Sequence, residues 1–95
     1  MPYSLRLSAG WRSQRWKVKI RDKERLEPPH VTLLRGTRSW RLSLRTGAFL
    51  DAVPDPAEVP PALVTEVRGQ LEELVKQWDA MYPENPVSSM EGHDD

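Results

Sequence analysis

The sequence predicts an α+β fold, an antiparallel meander of three to four strands packed on one long C-terminal amphipathic helix. Three observations predict it. The chain alternates strictly between apolar and basic residues from Arg15 to Arg21, two strand-like runs flank Gly36-Thr37 with matching faces, and an apolar stripe of helical period follows Pro60-Pro61. Ninety-five residues are enough for one core and too few for a second domain. The domain is expected over residues 1–83, followed by a polar tail over 84–95 that is too hydrophilic to fold alone and is largely disordered.

The N-terminal run Tyr3, Leu5 and Leu7 alternates with Ser4 and Arg6, which allows a strand over residues 3–7 that ends at an Ala9-Gly10 turn. Over residues 15–21, Trp16, Val18 and Ile20 point one way and Arg15, Lys17, Lys19 and Arg21 the other, the period of two of a half-buried strand. A polar loop follows at Asp22 to Glu27. Pro28 and Pro29 cannot donate ladder hydrogen bonds and delay the next strand to residues 30–35. Gly first in a two-residue loop marks a type II′ hairpin at Gly36-Thr37. If Arg35 faces Arg38, Leu33 pairs with Trp40 and Val31 with Leu42 on one face, and Thr32 with Arg41 and His30 with Ser43 on the other. The second hairpin strand runs over residues 38–45, a Thr46-Gly47 turn follows, and residues 49–53 offer a further short strand before Pro54.

Pro60-Pro61 suits a helix start, where amides need no intrahelical acceptor. One helix over residues 60–82 places Leu63, Val64, Val67, Leu71, Leu74, Val75, Trp78, Met81 and Tyr82 in a single arc, with Glu66, Glu72, Glu73 and Asp79 on the outer face. Gly69 falls on that outer face, where it costs about 1 kcal/mol of helix propensity. Trp16, Trp40 and Trp78 are core residues.

The zero formal net charge hides a segregation: residues 1–50 hold 12 Lys and Arg against three acids, and residues 51–95 hold two against 11. With the helix over the apolar face of the sheet, the other face carries Arg15, Lys17, Lys19, Arg21, His30, Arg41 and Arg45 as one basic surface for RNA, DNA or a partner protein. Stacking aromatics are missing from that face, which argues against a sequence-reading RNA module. Catalysis would fall to His30 beside Ser43 and Arg41, a ribonuclease-type alternative to the non-catalytic reading. No carboxylate joins His30, so no metal site and no cofactor are expected. Self-association through the basic and acidic faces is a third possibility. There is no cysteine, no run of apolar residues long enough to span a membrane and no secretory-signal pattern, so the expected setting is cytoplasmic.

Glu27-Pro28-Pro29-His30-Val31, the strand pair, the Thr46-Gly47 turn and Gln70-Leu71-Glu72-Glu73-Leu74-Val75-Lys76-Gln77-Trp78 resemble a small bacterial family of uncharacterised proteins over about residues 15–90. Its members read Pro-Pro-His-Val-His at the first motif; Thr32 stands here where the second His usually lies, setting this chain apart from any chemistry that needs two histidines on that strand. The resemblance implies a context and no biochemistry: gene pairs of toxin–antitoxin type, with a small partner protein encoded nearby.

Overall fold

The computed structural model describes residues 3–21 and 28–87. The Asp22–Glu27 loop and most of the expected tail lie outside the described residues. Strands β1 (Tyr3–Leu5), β2 (Lys17–Ile20), β3 (His30–Arg35) and β4 (Arg38–Ser43) form an antiparallel sheet in chain order. A five-residue helix α1 (Ala9–Ser13) joins β1 to β2, and helices α2 (Pro61–Gly69) and α3 (Leu71–Met81) follow the sheet.

The hairpin register matches its apolar pattern. Leu33 pairs with Trp40 and Val31 with Leu42, while Thr32 faces Arg41 and His30 faces Ser43. Gly36 has φ 62°, and Arg15 alone among the described non-glycine residues has a positive φ, so Thr37 does not; this is the dihedral signature of a type II′ turn. The apolar face then seals: Trp16, Val18, Ile20, Val31, Leu33, Trp40, Leu42 and Leu44 are all buried, in one cluster with Leu63, Val67, Leu74 and Trp78 of the helices.

The single helix expected over residues 60–82 is two. Gln70, at φ −106° and ψ 15°, leaves the helical region between α2 and α3. Its amide bonds back three residues to Val67, and α3 restarts when the Leu74 amide reaches the Gln70 carbonyl. Gly69 contributes the weakest helix former at that joint. The apolar stripe survives because the break falls on its outer side: Leu63, Val64, Val67, Leu74, Trp78 and Tyr82 are buried, and Leu71, Val75 and Met81 pack partly buried against the core.

Other boundaries shift for local reasons. The first strand ends at Leu5, whose partner Val18 is the last pair before β1 and β2 diverge around α1; Ala9-Gly10 is the start of that helix and not a turn. The next strand starts at Lys17, two residues later than the alternation suggests, because Arg15 closes α1. The hairpin strand stops at Ser43, where the Ser43 hydroxyl accepts the amides of Arg45 and Thr46 and bends the chain. Residues 49–53 form no strand; Phe49 makes one bridge to Leu42, flanked by bonds from Ser43 N–H to the Ala48 carbonyl and from Leu50 N–H to the Arg41 carbonyl.

The chain stays folded past residue 83. Trp78 Nε1 donates to the Asn85 carbonyl at 2.7 Å, the Val87 amide donates to Asp79 Oδ1 at 2.8 Å, and Arg45 Nε donates to the Val87 carbonyl at 3.0 Å. Val87 is buried by these contacts. The polar tail therefore does not begin at residue 84. Among the described residues no helix is long and apolar enough to cross a membrane.

Candidate nucleic-acid interface

Where β1 and β2 diverge they leave a concavity of about 430 Å³, lined by Arg6, Arg12, Arg15, Lys17 and Lys19 together with Ser4 and Trp16. Two further depressions adjoin it through shared residues. One brings Arg12, Arg15, Lys17 and Lys19 over Leu34, and the other brings Arg15 beside Arg35 and Arg38. Leu34, opposite Lys17 in the β2–β3 register, supplies an apolar floor on the polar face of the sheet. Arg15 lines all three.

Among the described residues none of Arg6, Arg12, Arg15, Lys17 and Lys19 forms an ion pair. Glu66, the carboxylate that shares a neighbouring depression with Arg6 and Arg12, gives its oxygens elsewhere. It accepts the Ser8 hydroxyl at 2.7 Å, the Ser8 amide at 2.8 Å and Trp11 Nε1 at 3.2 Å. The Ser8 hydroxyl first and the Ser8 amide second hold the Glu66 carboxyl below its usual range. Glu66 thus fastens the α1 segment to α2 and leaves the cations uncompensated.

The conformation at Arg15 is set by how α1 ends. The Trp16 amide donates to the Trp11 carbonyl at 3.1 Å and the Arg15 amide to the Arg12 carbonyl at 3.0 Å. Those two bonds define a Schellman motif whose left-handed position is Arg15, at φ 73°. Trp16 then turns under the sheet end, 5.5 Å from Trp40 between ring centroids, with the Arg35 guanidinium 5.5 Å from its ring centre. Trp11, Trp40 and Trp78 give their indole N–H groups to oxygens, whereas Trp16 Nε1 is buried with no acceptor among the described residues.

Of the residues expected on the basic face, Arg15, Lys17 and Lys19 meet in this concavity. Arg21 is exposed at the end of β2, where its carbonyl accepts the Tyr82 hydroxyl. Arg41 is half-buried and contacts Asp51 at two points, Nε to Oδ2 at 2.8 Å and Nη2 to Oδ1 at 2.7 Å. That hydrogen bonding lowers the Asp51 pKa. Arg45 is half-buried and committed to the Val87 carbonyl. His30 is fully buried, its ring centre 5.6 Å from that of Trp78, and its Nδ1–H donates to the Pro28 carbonyl at 2.8 Å. Thr32 and Ser43, on the same face, are buried too. Thr32 lies between Lys19 and Arg41 in the register, whose aliphatic stems can cover so short a side chain. The polar face is therefore open at the β1–β2 end and closed around His30.

Sequence reasoning missed Arg6 and Arg12. Arg6 had a signal, since the N-terminal alternation puts it on the side of Ser4, and Ser4 pairs with Lys19. Arg12 had none, because no glycine follows α1 to mark its end. Among the described residues there is no group of three or more His, Cys, Asp or Glu side chains able to hold a metal ion.

The fold and the site together define a small α+β domain with a concave, uncompensated basic surface. Compared with known proteins, the chain matches no family model, no curated protein and no solved structure.

Proposed function

We propose that the chain is a non-catalytic nucleic-acid-binding module that holds backbone phosphates in the concavity between β1 and β2. The observation that carries this reading is the convergence of Arg6, Arg12, Arg15, Lys17 and Lys19 on one concavity without an ion-pair partner among the described residues. Gathered like charges raise the free energy of the empty site, and a polyanion that releases its counterions relieves it. Arginine adds two-point bonding to phosphate oxygens, and the Arg35 face over Trp16 offers a cationic plane at the rim. No step is assigned to His30, because a general base must reach the scissile phosphate and this ring is fully buried. A cytoplasmic setting and a toxin–antitoxin-type gene pair, which the Pro28-Pro29-His30 resemblance implies, suit a module of this kind. A protein partner there would cover the same basic surface.

The test is titration of labelled single- and double-stranded RNA and DNA at low and moderate salt. If all five cations contact phosphate, affinity falls by roughly two to three decades between 50 and 200 mM salt. The triple variant Arg12→Glu, Lys17→Glu, Lys19→Glu abolishes binding while retaining the fold by circular dichroism. Absence of binding at low salt, or binding indifferent to salt, overturns the proposal and turns attention to an acidic protein partner.

A further inference from the structure

Arg15 stands where a Schellman motif ordinarily has glycine. That position needs a left-handed backbone, which glycine adopts without a Cβ penalty and other residues adopt at a cost of about 1–2 kcal/mol. Glycine or asparagine would close α1 with less strain, and the fold obtains nothing visible in return for arginine: among the described residues the Arg15 side chain has no hydrogen bond or ion pair. Strain held at a side chain with no structural partner marks a functional position. The place of that side chain says what kind. Arg15 is the one residue common to all three basic depressions, so it lies where their cations come nearest to converging.

A phosphodiester brings one negative charge, whereas a phosphate monoester at neutral pH brings between about −1.5 and −2 on three strong acceptor oxygens. Five cations around a single concavity exceed what one diester neutralises and suit the more concentrated group. The wall also holds the exposed Ser4 hydroxyl as a further donor. The adjoining depressions over Leu34 and beside Arg35 and Arg38 provide room for the diesters that follow. We propose, resting on the nucleic-acid reading above, that the Arg15-centred concavity holds the terminal phosphate monoester of a nucleic-acid strand.

The experiment compares internally labelled single strands of about 12 nucleotides bearing a 5′-phosphate, a 3′-phosphate or hydroxyls at both ends, with the full chain and with Arg15→Gly. Glycine fits the left-handed turn, so this variant keeps the fold. Lys76→Gln, on the exposed outer face of α3, controls for loss of one positive charge. The expected result is that one phosphorylated end binds about tenfold more tightly than the hydroxyl strand, that Arg15→Gly reduces this preference to within about twofold, and that Lys76→Gln keeps it. Equal, salt-sensitive affinity for all three strands overturns the terminal-phosphate assignment and leaves the nucleic-acid module standing. Binding to none of them overturns both. Competition by a free mononucleotide as strong as by the phosphorylated strand supports the monoester site but overturns the nucleic-acid source.

Discussion

Arg41 and Asp51, ten residues apart, meet in a two-point contact at 2.8 and 2.7 Å that removes Arg41 from the basic surface to which its strand parity assigns it. Both side chains are about a third exposed, at 36% and 31%, so the pair is screened and its worth is modest. A double-mutant cycle with Arg41→Ala and Asp51→Ala is expected to give a coupling of about 0.5–1 kcal/mol in denaturant titrations at low salt, shrinking as salt rises. A coupling near zero at low salt would show that the contact is incidental.

Arg15 gives the reverse case, a residue that costs stability. Replacing it with glycine relieves the left-handed backbone but adds freedom to the unfolded chain, two terms of about 1 kcal/mol each and of opposite sign. Arg15→Gly is therefore expected to melt at or slightly above the temperature of the parent protein. Arg15→Val, whose branched Cβ suits a left-handed backbone least, should melt several degrees lower. A large loss of stability in the glycine variant would mean that the arginine side chain holds the fold together.

Glu66 sets an acid limit on stability. Its bonds to Ser8 and Trp11 lower its pKa in the folded protein, so as pH falls the unfolded chain takes up the proton first. The stabilisation is complete above the ordinary glutamate range of about 4 and is lost as pH falls through the lower, folded-state value. Glu66→Gln keeps the shape and removes the titration. Its stability should vary less steeply below about pH 4 than the parent's, read from urea midpoints across pH, and an unchanged slope would refute the role of this carboxylate.

Trp78 is the largest fully buried side chain, packed against His30 and against Tyr82, whose ring centre lies 4.3 Å away, and bonded to the Asn85 carbonyl. Trp78→Ala is expected to cost about 3–5 kcal/mol, a large share of what so small a domain has. Trp78→Phe retains most of the packing and removes the indole bond to the Asn85 carbonyl, at about 0.5–1.5 kcal/mol. Urea titration of both variants checks the order, and a parent-like alanine variant would contradict the packing.

Gly69 meets nothing within 4 Å of where a Cβ would stand, and its φ is not positive. Gly69→Ala should raise stability by up to about 1 kcal/mol. A melting temperature below the parent's would show that the α2–α3 joint needs the glycine itself.

Periodicity carried the hairpin register and the apolar faces, because both follow from local alternation that a one-residue slip would destroy. It could not show where Arg41, Arg45 and His30 end up, since their partners Asp51, Val87 and Trp78 are chosen by tertiary packing. The helix break was hidden for a related reason: the stripe from Val67 to Leu71 continues in phase across Gly69-Gln70, so the apolar pattern reads as one helix. At Arg15 the usual punctuation was missing, and a helix terminus without glycine reads as the start of a strand. The core was thus legible almost residue by residue, whereas of the site Arg15, Lys17 and Lys19 were read in advance, Arg6 was readable from its alternation with Ser4, and Arg12 was not.

The Ser43 amide donates to the Ala48 carbonyl and the Leu50 amide to the Arg41 carbonyl, which occupies part of the outer edge of β4, while β1, at the other edge, is three residues long. An unpaired edge is where sheets of separate molecules join. At its formal neutral charge the protein has no net repulsion to keep copies apart. Keeping copies apart at neutral pH then falls to those two short or occupied edges, and opening the turn at Gly47 would remove one of these protections.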